Sequence, residues 1–168
     1  MGSWLTKFIH RKRRGLCASL VRTYREISSA SVDEMWLKVV DLADVSWHPI
    51  LKSTNVPYGL VPKPGLIYQA FTRFSPIPIR IFVERVKPNE MLSIRVMAIP
   101  GIEERVTYRV ESTVCGTCVS YSVTLRGWLS PLVWSLSRPY ADRVARSLVE
   151  SVENTRLQTV SAQKNSLF

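Results

Sequence analysis

The sequence predicts an α+β fold in which a curved antiparallel sheet of about seven strands wraps around one long C-terminal helix. Three observations carry this prediction. An apolar residue recurs at every fourth position between 130 and 154. The roughly sixty residues before it break into alternating runs divided by turn signals. Ahead of those, one strand-like run leads into two short helical patterns.

Residues 130–154 read SPLVWSLSRPYADRVARSLVESVEN. Leu132, Leu136, Tyr140, Val144, Leu148 and Val152 make a slowly turning apolar stripe. Arg138, Asp142, Arg143, Arg146, Glu150 and Glu153 fall mostly off it. Ser130 suits the N-cap, and Pro131 suits the first helical position, where a missing N–H costs nothing. Pro139 predicts a kink or a division. At about 1.5 Å per residue such a helix is roughly 35 Å long and needs a concave partner.

The rest of the chain supplies one. Residues 16–28 alternate as a first strand, with Leu20, Val21, Tyr24 and Ile27 apolar. Ser31-Val-Asp-Glu34 is a capping box. It opens a helix through Met35, Trp36, Val39, Val40 and Leu42, whose first-turn acids Asp33 and Glu34 suit the helix dipole. DVSWHP (44–49) predicts a second short helical turn, stopped by Pro49. The Pro/Gly-rich passage 57–65 reads as loop, next to a short strand near 52–56. Then come the runs 66–74, 77–86, 91–99, 103–114 and 117–128. Ser75-Pro76, Pro88-Asn89, Pro100-Gly101 and Cys115-Gly116 separate them, as in an antiparallel meander. Leu92, Ile94, Val96 and Ala98 alternate with Ser93, Arg95 and Met97, so one face is apolar and one wet. Residues 156–168 lack periodicity and are expected to be a disordered tail. The chain thus divides into a basic amphipathic segment (1–15), a folded domain (16–154) and a tail (155–168).

Composition bounds the function. Apolar content of 46% and charged content of 21% are globular values. No apolar run is long enough to span a bilayer as a helix. Three cysteines form no disulfide framework, and a cytoplasmic protein is expected. The net charge of +10 sits mainly at the N-terminus, where seven basic residues precede the first acid, Glu26. Within that stretch Trp4, Leu5, Phe8 and Ile9 share one helical face, followed by Arg11, Lys12, Arg13 and Arg14. That composition suits contact with an anionic membrane surface, making the protein peripheral to membrane. A solvated tail or a helix packed on the domain is the alternative, and a nucleic-acid partner is not expected from one cluster.

The element order resembles the helix-grip superfamily, which includes START lipid-transfer domains and the polyketide cyclase/dehydrase (SRPBCC) family. The stretches that carry the likeness are SASVDEMWLKVVDLADVSWHP (29–49), PGLIYQAF (64–71), FVERVKP (82–88), ESTVCGTCVSYSV (111–123) and the closing helix. The resemblance implies a cavity between sheet and helix that holds a hydrophobic molecule. It departs from the plant hormone receptors of that superfamily: SPIPI (75–79) and EERV (103–106) stand where their gate and latch motifs would be.

The resemblance implies that Glu84 faces the cavity and anchors a ligand; the alternative is an outward Glu84 paired across strands with Arg95. Tyr68, Phe82, Val96, Tyr108, Tyr121, Trp134, Leu136 and Tyr140 are the other candidates for the cavity wall. Trp47 and His48 are expected at its mouth, where His48 is a general base, a ligand contact or a capping residue. Cys115-Gly-Thr-Cys118 brackets a hairpin turn and lacks further ligands for zinc. No catalytic set, cofactor or metal is predicted. The expected function is binding of a hydrophobic small molecule or lipid, with transport as its extension. A cyclase/dehydrase-type enzyme and a ligand-free interaction module are the alternatives.

Overall fold

The computed structural model describes residues 19–165; the basic N-terminal cluster lies outside them. Seven strands form one sheet: β1 (Leu20–Ser28), β2 (Leu51–Thr54), β3 (Ile67–Thr72), β4 (Ile79–Lys87), β5 (Met91–Met97), β6 (Glu103–Thr113) and β7 (Gly116–Arg126). Their spatial order is β1-β7-β6-β5-β4-β3-β2, and every neighbouring pair is antiparallel. The first strand closes onto the last, from Leu20 opposite Leu125 to Ser28 opposite Thr117. The sheet curls into a half-barrel around the long helix.

Helix α1 (Val32–Val40) begins where the sequence places it. Ser31 Oγ accepts from the Glu34 backbone N–H at 3.2 Å, and the Ser31 N–H donates to Glu34 Oε2 at 2.8 Å. The second short helix does not form. Asp41 Oδ1 accepts from the backbone N–H groups of Ala43 and Asp44, and Asp44 Oδ1 accepts from Ser46 N–H. These short side chains satisfy the backbone locally and so replace helix by turns.

Helix α2 (Ser130–Asn165) packs against β1, β7 and α1. It is not divided at Pro139, and it runs on past Asn154 into the stretch expected to be a tail. Its buried line is Trp134, Ala141, Val144, Ala145, Leu148 and Val152, whereas Leu132 and Leu136 are exposed. Ser130 does not cap: its Oγ is buried and without a hydrogen bond, because the carbonyl of Leu129 already accepts from Val133. Glu153 ties the helix to the end of β1, accepting from Ser28 Oγ at 2.9 Å.

The turns at one end of the sheet are tightly apposed. Gly127 has φ +132°, and a Cβ there would lie 2.4 Å from the Gly101 carbonyl oxygen. Only glycine allows β7 to leave the sheet so close to the β5–β6 turn.

Candidate functional site

Period-two alternation in β6 sends Glu104, Val106 and Tyr108 to the concave face. Opposite them stand Leu125, Val123 and Tyr121 of β7, and Val96, Ile94 and Leu92 of β5. Glu104, Val106 and Tyr108, with Val96, Ile94 and Tyr121 of the neighbouring strands and Ser137 of α2, line a hollow of about 190 Å³. Its wall is mostly aliphatic, from Leu51, Ile79, Ile81, Ile94, Val96 and Val106. The polar residues that reach it are His48, Thr72, Glu104, Tyr108, Tyr121 and Ser137. Larger hollows lie on the outside, such as the one of about 510 Å³ between α1 and α2, lined by Glu34, Lys38 and Arg156 among others. Those lined by described residues are open to solvent and carry charged side chains.

Glu104 is the acid of this hollow. Among the described residues it has no hydrogen bond or ion pair, and its cross-strand partners are Leu125 and Val96. Burial pushes its carboxyl up to about 7. Near neutrality it therefore exchanges between acceptor and donor. Tyr108 and Tyr121 lie opposite each other with ring centroids 5.3 Å apart. Burial raises both phenols, and the charge of Glu104 adds to the effect. Both stay protonated, and neither hydroxyl has a partner among the described residues.

His48 is buried, and its Nδ1 accepts from the backbone N–H groups of Ile50 at 3.1 Å and Leu51 at 3.2 Å. Burial, and then the nearby charge of Arg73, lowers its pKa to about 3. The ring is neutral, and with Nδ1 accepting, the proton sits on Nε2. His48 is thus a capping residue that also lines the hollow. Trp47 donates its indole N–H to the Asp44 carbonyl and meets Tyr108 edge-on, with centroids 6.3 Å apart.

Of the residues singled out from sequence, Val96, Tyr108, Tyr121 and His48 line the hollow. Tyr68 and Trp134 are buried in the adjoining core. Tyr140 is half-buried against Phe74, with ring centroids 4.7 Å apart. Three placements are corrected. Leu136 is exposed on α2. Phe82 faces away from the hollow, because Ile81 and Val83 take the buried positions of β4. Glu84 lies on the outer face, where it accepts from Arg95 Nε and Arg105 Nε, each at 2.6 Å. Burial pushes its carboxyl up, but the hydrogen bonds from Arg105 and Arg95 outweigh this and hold it below the usual range. Glu84→Gln is expected to cost about 1–2 kcal/mol at pH 7, since it removes the charge that both arginines meet and one of the two acceptor oxygens at a partly solvated site. The stabilisation is present above the ordinary carboxylate pKa and is lost as pH falls through the lowered one. Urea unfolding at pH 7 and pH 3 should show the gap closing in acid.

Glu104 was the residue sequence reasoning passed over. The signal is present: Glu104 lies four positions, two full strand periods, before Tyr108, a cavity-wall candidate. Cys115 is exposed at the β6–β7 turn and Cys118 is half-buried on β7. Among the described residues no group of His, Cys, Asp and Glu is arranged to hold a metal.

Solved structures share this architecture. Ara h 8.0201 superposes with a TM-score of 0.63 at 11% identity, over 82% of this chain and 99% of the other. Norcoclaurine synthase of Thalictrum flavum, a point mutant in complex with a transition-state analogue, gives 0.58 at 14%, over 83% of this chain and 98% of the other. DynU16, from the dynemicin biosynthetic locus, gives 0.61 at 18%; 79% of this chain is covered but only 47% of DynU16, about half its length. The chain has the helix-grip fold. These neighbours are Bet v1-like and SRPBCC proteins, and at such identities the likeness establishes the fold and no more. No family model matches the sequence, and no curated protein does. Within the helix-grip frame, the hollow occupies the space between sheet and terminal helix, and Ser137 of α2 forms part of its wall.

Proposed function

We propose that this helix-grip chain binds a small, largely apolar molecule carrying one or two oxygen functions. The observation that carries the reading is the set of unpartnered polar groups, Glu104, Tyr108 and Tyr121, inside an otherwise aliphatic hollow. All three line the hollow and none is paired within the chain, so their polar atoms are free to meet the oxygen functions of a bound molecule. Size narrows the class. Pockets for drug-sized ligands run to roughly 300–1,000 Å³, whereas this one is about 190 Å³. One or two fused rings or a short isoprenoid suit it; a diacyl lipid does not.

The test uses β-naphthol, a fluorescent bicyclic phenol of suitable size. Saturable binding is expected. Tyr108→Phe should weaken it about fivefold to tenfold, the weight of one neutral hydrogen bond. Val106→Trp should abolish it by filling the hollow, with folding checked by urea unfolding. Unchanged binding in both variants would overturn the reading.

Glu104 also favours a second reading, an enzyme of the cyclase/dehydrase kind. A carboxyl titrating near neutrality beside two phenolic donors suits proton transfer next to a carbonyl whose oxygen the phenols hold. The neighbouring norcoclaurine synthase structure, with its transition-state analogue, supports catalysis as something this fold can do. The membrane part of the reading rests on sequence: the Trp4-to-Arg14 stretch suits an anionic surface, and among the described residues no helix is long and apolar enough to cross a bilayer.

A further inference from the structure

The antiparallel order gathers one set of chain segments at one end of the sheet: the start of β1, the β3–β4 loop, the β5–β6 turn and the β7–α2 junction. The hollow reaches this same end, where Thr72, Ile79, Ala98 and Glu104 line it. At that end Phe74, Ile77, Ile99, Trp128, Leu132 and Leu136 are exposed, by 42% at the least and 70% at the most. Trp128 lies against Gly101 of the neighbouring turn, and Phe74 meets the Tyr140 ring of α2 at a tilt, so the β7–α2 junction adjoins the β5–β6 turn and the β3–β4 loop adjoins α2. Apolar side chains exposed together in this way mark an interaction surface.

Charge says which kind. Arg80, Arg126 and Arg138 are exposed at the same end, and none has an ion-pair partner among the described residues. Asp33, Glu90 and Glu111 lie at the opposite end, with the other apolar loop, Tyr58 to Val61; of the acids at the rim end, Glu103 lies 3.6 Å from both Arg95 and Arg105, and Glu104 lines the hollow. The first described strand also starts here, with Leu20 opposite Leu125, so the chain arrives at this end directly from its basic N-terminal stretch. Apolar side chains ringed by unpaired cations match an anionic bilayer: the former enter the headgroup boundary and the latter meet lipid charge.

We propose that the rim of the hollow is a membrane-docking surface for anionic lipid, turning the opening toward the bilayer in which a small apolar ligand would be dissolved. This deepens the membrane part of the reading above by assigning it to the folded domain. The test is co-sedimentation of the full chain with vesicles of phosphatidylglycerol and phosphatidylcholine, and with phosphatidylcholine alone. Binding is expected to the anionic vesicles and to fall with salt. The exposed pair Ile77→Asp with Trp128→Asp should weaken it at least about tenfold, while Tyr58→Asp with Val61→Asp at the far end should not. Brominated acyl chains should quench the wild-type tryptophan fluorescence, and Trp128→Phe should lose part of that quenching.

Wild-type affinity in the rim variant overturns the proposal. If neutralising Arg11, Lys12, Arg13 and Arg14 to Gln abolishes sedimentation while the rim variant keeps it, the N-terminal reading stands and the rim proposal fails. If the wild-type chain ignores anionic vesicles altogether, both fail and the rim belongs to a protein partner.

Discussion

His48→Ala is expected to lower the free energy of unfolding by about 3 kcal/mol at pH 7.5 and by only about 1 kcal/mol at pH 5. At the higher pH the cost comes from the two backbone donors, Ile50 N–H and Leu51 N–H, that lose Nδ1. A buried donor left without an acceptor costs about 1–3 kcal/mol. The pH dependence has a separate source. The folded state holds His48 neutral, with a pKa lowered from 6.5 to about 3, whereas the unfolded chain protonates it ordinarily. Between these values the unfolded state binds more protons, so stability is full above about 6.5 and falls as pH falls toward 3. Each pH unit inside that window removes about 1.4 kcal/mol from the wild type and nothing from the alanine variant. The two urea-unfolding gaps should therefore differ by about 2 kcal/mol. Equal gaps at both pH values would mean that His48 is not held neutral in the folded protein.

The same residue shows what the sequence conveyed and what it did not. His48 before Pro49 announced a turn, and the choice between capping and contact with the cavity was left open; both roles turn out to fall on one ring. The strands were readable because Pro/Gly signals cut the chain and because β5 to β7 alternate cleanly. Strand β4 was not readable in phase. Ile79, Ile81 and Val83 compete with Phe82, and a register shift between Val83 and Arg85 adds an irregularity. Period two could not decide where Glu84 points; two arginines on neighbouring strands do.

Helix phase failed for a geometric reason. With 3.6 residues per turn, a repeat of four advances about 40° per step. From Val144 back to Leu132 the drift is roughly 120°, enough to carry Leu132 and Leu136 out to solvent. The buried line instead advances by alternating threes and fours through Ala141 and Trp134. That error hid the rim, because the leucines credited to the interior surround its opening.

Glu104→Gln should leave stability unchanged at pH 4.5 and raise it by about 2 kcal/mol at pH 8.5. In the folded chain the carboxyl is pushed up from 4.5 to about 7, so between these values the native state retains a proton that the unfolded state has released. Stability consequently declines as pH rises through this window, and the whole penalty is present above about 7. Glutamine matches the protonated acid in shape and never ionises, so it escapes the penalty. The full shift corresponds to about 3 kcal/mol, and the opening of the hollow to solvent reduces it. The same variant separates the two functional readings. Glutamine keeps both a donor and an acceptor, so β-naphthol binding at pH 6 should change by no more than about threefold. Proton transfer cannot survive the change. With β-tetralone, a bicyclic enolisable ketone, the enzyme reading expects the wild type to speed exchange of the α-hydrogens in deuterated water. The glutamine variant should be slower by about a hundredfold or more. Tight ketone binding without any acceleration by the wild type would leave Glu104 as an anchor and the protein as a binder.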